Sequence, residues 1–365
     1  MLEDLDALAG NIAFFHVHNA RKSHDEDYPV IVTASVDRIR LKRQPLAEND
    51  QLLSGQVSWT GRSAMEIKMT CSENGEDWLE AFVTYVTLNP YTYKSTPTPP
   101  IIPETPSEKK DFEEGQARAD FKKRLRQQKK DKNDTMNQKV EELAQSLFEE
   151  SLVLQNLPSL ADPRSILMDQ TYMSNSQIAQ PQAQNLHNRI FGGFLMRRAF
   201  ELAYANTCKI FFWPGHCHLN SFHELIHLPF SSIDVFAGAK PIFLEVDQVS
   251  FTKPVDVGDL IQFHSRVLYT DDGCLSDYDK NFTREEQNDM QLVHIEVEAW
   301  ITIPEEARSV VSNTFYFTLA VSKNEGQQPT RPLRRILPNN MDQARRMATR
   351  MVADEEQRKH DKQKQ

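Results

Sequence analysis

The stretch HNRIFGGFLMRRAFELA, from His187 to Ala203, decides how this chain folds. Leu195, Ala199, Leu202, Ala203 and Asn206 recur at i, i+4, i+7, i+8 and i+11, mostly apolar on one helix face. The helix opens on Gly192 and Gly193. Glycine costs about 1 kcal/mol against alanine inside a helix, so something gains from backbone without side chains there. A helix N-terminus carries unpaired amides and the positive end of the dipole. Without a Cβ in the way, a carbonyl oxygen can approach those amides. The alternative is tight packing of the helix start against a neighbouring element.

The surrounding chain supplies sheet for such a helix to bury itself in. IFLEVDQVSF (242–251), LIQFHSRVLYT (260–270), MQLVHIEVEAW (290–300) and TFYFTLAV (314–321) are rich in β-branched and aromatic residues. The first part of the chain has the same plan. Residues 1–20 read as a helix with Leu2, Leu5, Ala9 and Ile12 on one face and acids in its first turn. IVTASVDRIRL (31–41), QLLSGQVSWTG (51–61), SAMEIKMT (63–70) and WLEAFVTYVTL (78–88) follow as strands. SVDRIRL (35–41) parallels EVDQVSF (245–251), and Asp37 and Val57 are spaced as Asp247 and Val267 are. The order of elements supports a duplication. Each unit reads as one helix wrapped by an antiparallel sheet, an α+β design.

Between the units, YTYKSTPTPPIIPETP (91–106) breaks regular structure through its prolines, and 107–150 is charged and helix-permissive. The last residues, 331–365, are polar and charged, which predicts a solvated helix or an unstructured tail. The 365 residues suffice for two or three domains. A net charge of −10 argues against general nucleic-acid binding. The four cysteines form no CxxC pair, which suits a reducing compartment. No apolar run is long enough to span a membrane.

The helix opened by IFGG, followed by VDQVSFTKPVDVGDL (246–260), with LEDLDALAG (2–10) and SGQVSWTGRSAMEIKM (54–69) in the first unit, resembles the hotdog-fold acyl-coenzyme A thioesterases of the mitochondrial double-hotdog type. The resemblance implies two tandem hotdogs: a first at 1–90, a linker at 91–160, a second at 161–325 and a charged tail at 326–365. It implies an intramolecular hotdog pair with acyl-CoA between the units, hydrolysed to free fatty acid and coenzyme A. It further implies a mitochondrial setting and possible homo-oligomers. Coenzyme A is then part of the substrate and no separate cofactor is expected. In the family a strand, a loop and a transit peptide precede the LEDLDALAG helix. The chain is therefore expected to be N-terminally truncated, its first hotdog lacking its first strand.

Thioester hydrolysis needs a polarised carbonyl, a positioned water and a grip on the coenzyme. Gly192 and Gly193 are the candidates for the first, their amides facing the thioester oxygen. Asn188, Glu201 and Asp6 are the candidates for handling water. Their alternatives are an N-cap for Asn188, a surface pair with Arg197 or Arg198 for Glu201, and favourable helix-dipole charge for Asp6. In relatives the amide or acid commonly sits one place after Asn188, at what is here Arg189, which can instead meet a coenzyme phosphate. Gly61, Arg62 and Ser63 match a turn that contacts coenzyme A in related enzymes, or else form an ordinary hairpin turn. RIRLKR (38–43) adds phosphate attraction or lines an exposed strand edge.

KIFFWPGHCHLNSFHELIHLPFSSID (209–234) is rich in histidine, but HCH spaces its neighbours too closely for a usual zinc site, and no metal is expected. The family passes directly from helix to strand here. Cys208-Lys209 can be encoded by TGTAAG and Ile233-Asp234 by ATAGAT, which contain splice donor and acceptor signals. The segment is expected to be a retained intron; a transcript population that always contains it would exclude this. Two other functions are open to such a fold. One is a non-catalytic acyl-CoA-binding protein. The other is an enoyl-CoA hydratase, which would want His187 paired with an acid.

Overall fold

A computed structural model describes the chain except for residues 20–28, 47, 129–134, 186–188, 211–240, 272–289, 323–333 and 364–365. In chain order the elements begin with α1 (Leu2–Asn19), β1 (Val30–Leu41), β2 (Gln51–Thr60), β3 (Ala64–Glu73) and β4 (Glu76–Leu88). Helices α2 (Pro106–Gln128) and α3 (Thr135–Asn156) follow, then the short β5 (Ser165–Leu167) and β6 (Met173–Ile178). The second group is α4 (Gly192–Ile210), β7 (Ile242–Phe251), β8 (Leu260–Asp271), β9 (Met290–Ile303) and β10 (Arg308–Ser322). β11 (Arg335–Leu337) and α5 (Met341–Gln363) close it.

The long strands form one nine-stranded sheet in the order β2-β3-β4-β1-β7-β10-β9-β8-β6. β1 and β7 pair antiparallel at its centre, with Val36 opposite Val249 and Arg38 opposite Asp247. The two repeats thus share one sheet. The RIRLKR cluster accordingly lies on a central strand and its end, not on an exposed edge. Arg38 binds Glu245 at 2.7 Å and Arg43 binds Glu73 at 2.7 Å.

The two halves share an irregularity at corresponding places. The β2–β3 ladder shifts register between Val57 and Trp59, and the β8–β9 ladder shifts between Val267 and Tyr269. Val57 faces Ile67 and Val267 faces Ile295 in matching places. A bulge re-aims the strand beyond it, which curls each half around its helix.

Strand periodicity decides what each face meets. On β3, Met65, Ile67, Met69 and Cys71 are buried in the core that includes Leu5, Ala9 and Ala13 of α1. The alternate residues Glu66 and Lys68 face α2, where Arg118 grips Glu66 through two hydrogen bonds of 2.7 and 2.9 Å and Asp111 takes Lys68. On β9, Val293, Ile295, Val297 and Ala299 lie in the same core as Leu195, Met196, Ala199, Leu202 and Ala203 of α4. The alternate residues His294, Glu296 and Glu298 face α5.

The charged C-terminal residues are therefore not a solvated tail. Ala344, Met347, Ala348 and Val352 of α5 are buried, and Arg350 is only 7% exposed. Arg350 binds Asp247 at 3.2 Å and stacks over the Tyr316 ring, while Arg346 bridges Glu296 and Glu298 at 2.5 Å. Helix α3 flanks α5 through Lys139–Glu355 and Glu141–Arg345 pairs. The composition resembles a solvated helix because its cations have partners on the polar face of the sheet.

Candidate active site

Helices α1 and α4, one from each repeat, touch where α4 begins. α1 buries Leu2, Leu5, Asp6, Ala9, Ala13 and Val17 in one stripe. Six residues of a helical stripe face the interior, and one of them is an aspartate, 3% exposed. A buried carboxylate needs partners. Asp6 has them on both oxygens: Oδ2 accepts the backbone N–H of Gly193 at 2.6 Å, and Oδ1 accepts the hydroxyl of Tyr85 on β4 at 3.2 Å.

This contact explains the two glycines. A Cβ on Gly193 would lie 2.8 Å from Glu3 Cα, 3.0 Å from Asp6 Cβ and 3.1 Å from the Leu2 carbonyl. A Cβ on Gly192 would meet the Phe251 ring at 2.9 Å and Asp6 Oδ2 at 3.1 Å. The space that glycine provides is filled by α1 and by Phe251. Close helix–helix approach is thus the physical reason for the pair, in place of an open path for a carbonyl. The Gly193 amide, expected to face a thioester oxygen, is engaged by Asp6 instead.

Burial pushes the Asp6 carboxyl up to about 6, against the lowering effect of its bonds from Gly193 and Tyr85. Desolvation wins because Asp6 is only 3% exposed. The result is a carboxylate that is ionised at neutral pH yet basic enough to accept a proton, the range a general base needs.

The other expected residues fall around this centre or away from it. Glu201 is placed on the outer side of α4, its side chain 49% exposed and paired with Arg198 at 2.9 Å and Arg197 at 3.4 Å. The structure does not bring it to Asp6, and the surface-pair alternative describes it. Arg189 lies just before α4, where its backbone pairs as an isolated antiparallel β-bridge with Asp256 in the VDVGD loop. Asn188 and His187 lie outside the described residues, as does nearly all of 209–234. Gly61, Arg62 and Ser63 form the β2–β3 hairpin turn, closed by the Gly61 N–H donating to the Ala64 carbonyl at 2.8 Å. The proline-rich segment covers the turn, with the Thr98 N–H donating to the Arg62 carbonyl. Arg62 itself is exposed. Met65 pairs with Tyr85, so this turn is at the same end of the sheet as the phenol that meets Asp6.

Tyr85 and Phe251 are the site residues that sequence reasoning missed. Each looks like one more aromatic in a strand. The one available signal was an acid inside the apolar stripe of α1, which asks for a buried donor opposite it.

No family model matches the chain. Among curated proteins it is 37% identical over 366 residues to the chloroplastic acyl-coenzyme A thioesterase 2 of Humulus lupulus, covering 97% of this chain and 73% of that one. It is 39% identical over 364 residues to the mitochondrial acyl-coenzyme A thioesterase 4 of the same plant, covering 97% of this chain and 60% of the relative's length. The mitochondrial acyl-coenzyme A thioesterase 9 of Homo sapiens is 28% identical over 343 residues, with 88% of this chain and 65% of the relative covered.

Proposed function

The chain belongs to the acyl-coenzyme A thioesterases, and from that membership we propose that it hydrolyses fatty acyl-CoA to free fatty acid and coenzyme A, with Asp6 as general base. The observation that carries this is the Asp6 carboxylate held on the Gly193 amide where the two repeats meet. In this reading a water gives its proton to Asp6 as its oxygen bonds to the thioester carbon. The carbon–sulfur bond then breaks and the thiolate of coenzyme A leaves, taking the proton back. The positive end of α4 favours the negative charge that builds on the carbonyl oxygen. Since Gly193 is engaged by Asp6, Gly192 and Asn188 are the proposed partners of that oxygen or of the water.

The exposed Arg62, at the same end of the sheet as Tyr85, is the proposed phosphate contact, with Ser63 beside it and Arg189 at the start of α4 as a second cation. The proposed setting is an organelle, a mitochondrion in the first instance, because the relatives carry mitochondrial and chloroplastic names. No helix among the described residues is long and apolar enough to cross a membrane. The proposed working unit is the intramolecular pair of repeats, which can assemble further by symmetry.

The test is a panel of acyl-CoAs of increasing chain length with detection of free thiol. Thiol release is the expected result. Tight acyl-CoA binding without turnover would favour a binding protein instead, and hydration of an enoyl-CoA without thiol release would favour a hydratase.

A further inference from the structure

We propose that Tyr85 is a positioning residue that fixes the orientation of the Asp6 carboxylate for proton transfer; the proposal rests on the reading of Asp6 as general base. The geometry assigns one donor to each carboxylate oxygen. Gly193, from the second repeat, holds Oδ2, and Tyr85, from the first, holds Oδ1. A carboxylate on a helix turns about its terminal torsion with little resistance. Two donors from different elements remove that freedom.

The direction of the Tyr85 bond is set by its surroundings. Asp6 in its ionised form only accepts, so the phenol must donate to it. Thr33 on β1 stands directly opposite Tyr85 in the ladder, and the phenol's acceptors, Oδ1 at 3.2 Å and the backbone carbonyl at 3.3 Å, both belong to Asp6. Tyr85 is 4% exposed, so its bond to Asp6 is made away from bulk solvent. Glu3 of α1 and Arg197 of α4 are charged groups on the same two helices. They neutralise each other at 3.2 Å, and Phe251 contributes only an apolar ring from β7.

The experiment compares the pH profile of kcat/KM for the full chain, Tyr85→Phe and Asp6→Asn. Phenylalanine keeps the ring and removes only the donor. Losing a hydrogen bond to a charged acceptor moves the acidic limb of Tyr85→Phe upward by about one pH unit. In parallel, carbon-13 NMR follows the Asp6 carboxyl, assigned by its absence in Asp6→Asn, and reports the same shift without any need for turnover. A Tyr85→Phe variant whose limb and carboxyl titration both match the unmodified chain would overturn the positioning role, even with Asp6→Asn inactive. An Asp6→Asn variant as active as the unmodified chain would overturn the general-base reading, and the positioning role with it.

Discussion

The carboxylate of Asp6 on α1 accepts the backbone N–H of Gly193 at the start of α4, at 2.6 Å and across 187 positions of sequence. One repeat supplies the acid and the other supplies the helix end. An aspartate at a helix N-terminus is ordinarily a capping residue of that same helix. Here the cap comes from a different helix, so the contact ties the two repeats together and leaves a buried acid between them.

Activity should follow the ionisation of that acid. The ionised form is the base, so kcat/KM should fall about tenfold per pH unit below about 6 and level off above it. A profile flat from pH 5 to 8 on a stable acyl-CoA would argue that no carboxyl of this kind takes part.

Stability should carry the opposite signature. Folded Asp6 keeps its proton up to about 6, whereas an unfolded aspartate releases it near 3.8. Between those values the folded state binds more protons, so the contribution of Asp6 to stability falls as pH rises from about 4 to about 6. Above 6 it is constant. Urea unfolding of the unmodified chain and of Asp6→Asn should therefore show a stability difference that moves against the unmodified chain by about 3 kcal/mol across that window. An unchanged difference would mean that the acid is not buried.

Gly193→Ala should be far more harmful than its chemistry suggests. The added methyl would meet the Glu3 Cα and Leu2 carbonyl backbone, which cannot swing aside. Overpacking of this kind costs about 1–3 kcal/mol, and it should lower the melting temperature and turnover together. Gly192→Ala meets the Phe251 ring as well as Asp6 Oδ2 and should be better tolerated. Equal melting temperatures for the Gly193→Ala variant and the unmodified chain would contradict the close helix contact.

Arg350 tests whether α5 is part of the domain. It lies between Asp247 and Asp354 with its guanidinium over Tyr316. Arg350→Ala leaves two buried acids without their cation, an effect of about 3–5 kcal/mol, readable by thermal unfolding. A change within 0.5 kcal/mol, the scale of a surface substitution, would mean that the helix is only loosely attached.

Glu201→Gln should leave thiol release within about twofold, because its pairs with Arg197 and Arg198 are surface pairs worth at most about 1 kcal/mol. A hundredfold loss would restore it as a candidate base.

Much of this architecture was legible in local pattern. The stripe of α4, the alternating strands and the pairing of Asp37 and Val57 with Asp247 and Val267 are short-range signals, and they predict two helix-and-sheet units. What escaped was whatever depends on contact between distant residues. The glycines announced that backbone was approached closely, but not that the visitor was α1. Asp6 had an acid's innocent explanation in a first helical turn until its burial against Gly193 and Tyr85 was seen. The cations of α5 have the composition of a solvated helix, and only Asp247, Glu296 and Glu298 on a distant sheet make them interior. The strand Met173–Ile178, which pairs with β8, went unread because MSNSQI offers little apolar alternation.

The most direct test of the central claim is the rate of thiol release by Asp6→Asn at pH 8 against that of the unmodified chain, on the acyl-CoA that the unmodified chain hydrolyses fastest. Asparagine keeps an oxygen to accept the Gly193 N–H, so the fold should survive, as near-ultraviolet circular dichroism would verify. Loss of the general base should reduce turnover by about 10²–10⁴-fold. A folded Asp6→Asn protein that turns over within a few fold of the unmodified chain would contradict the account.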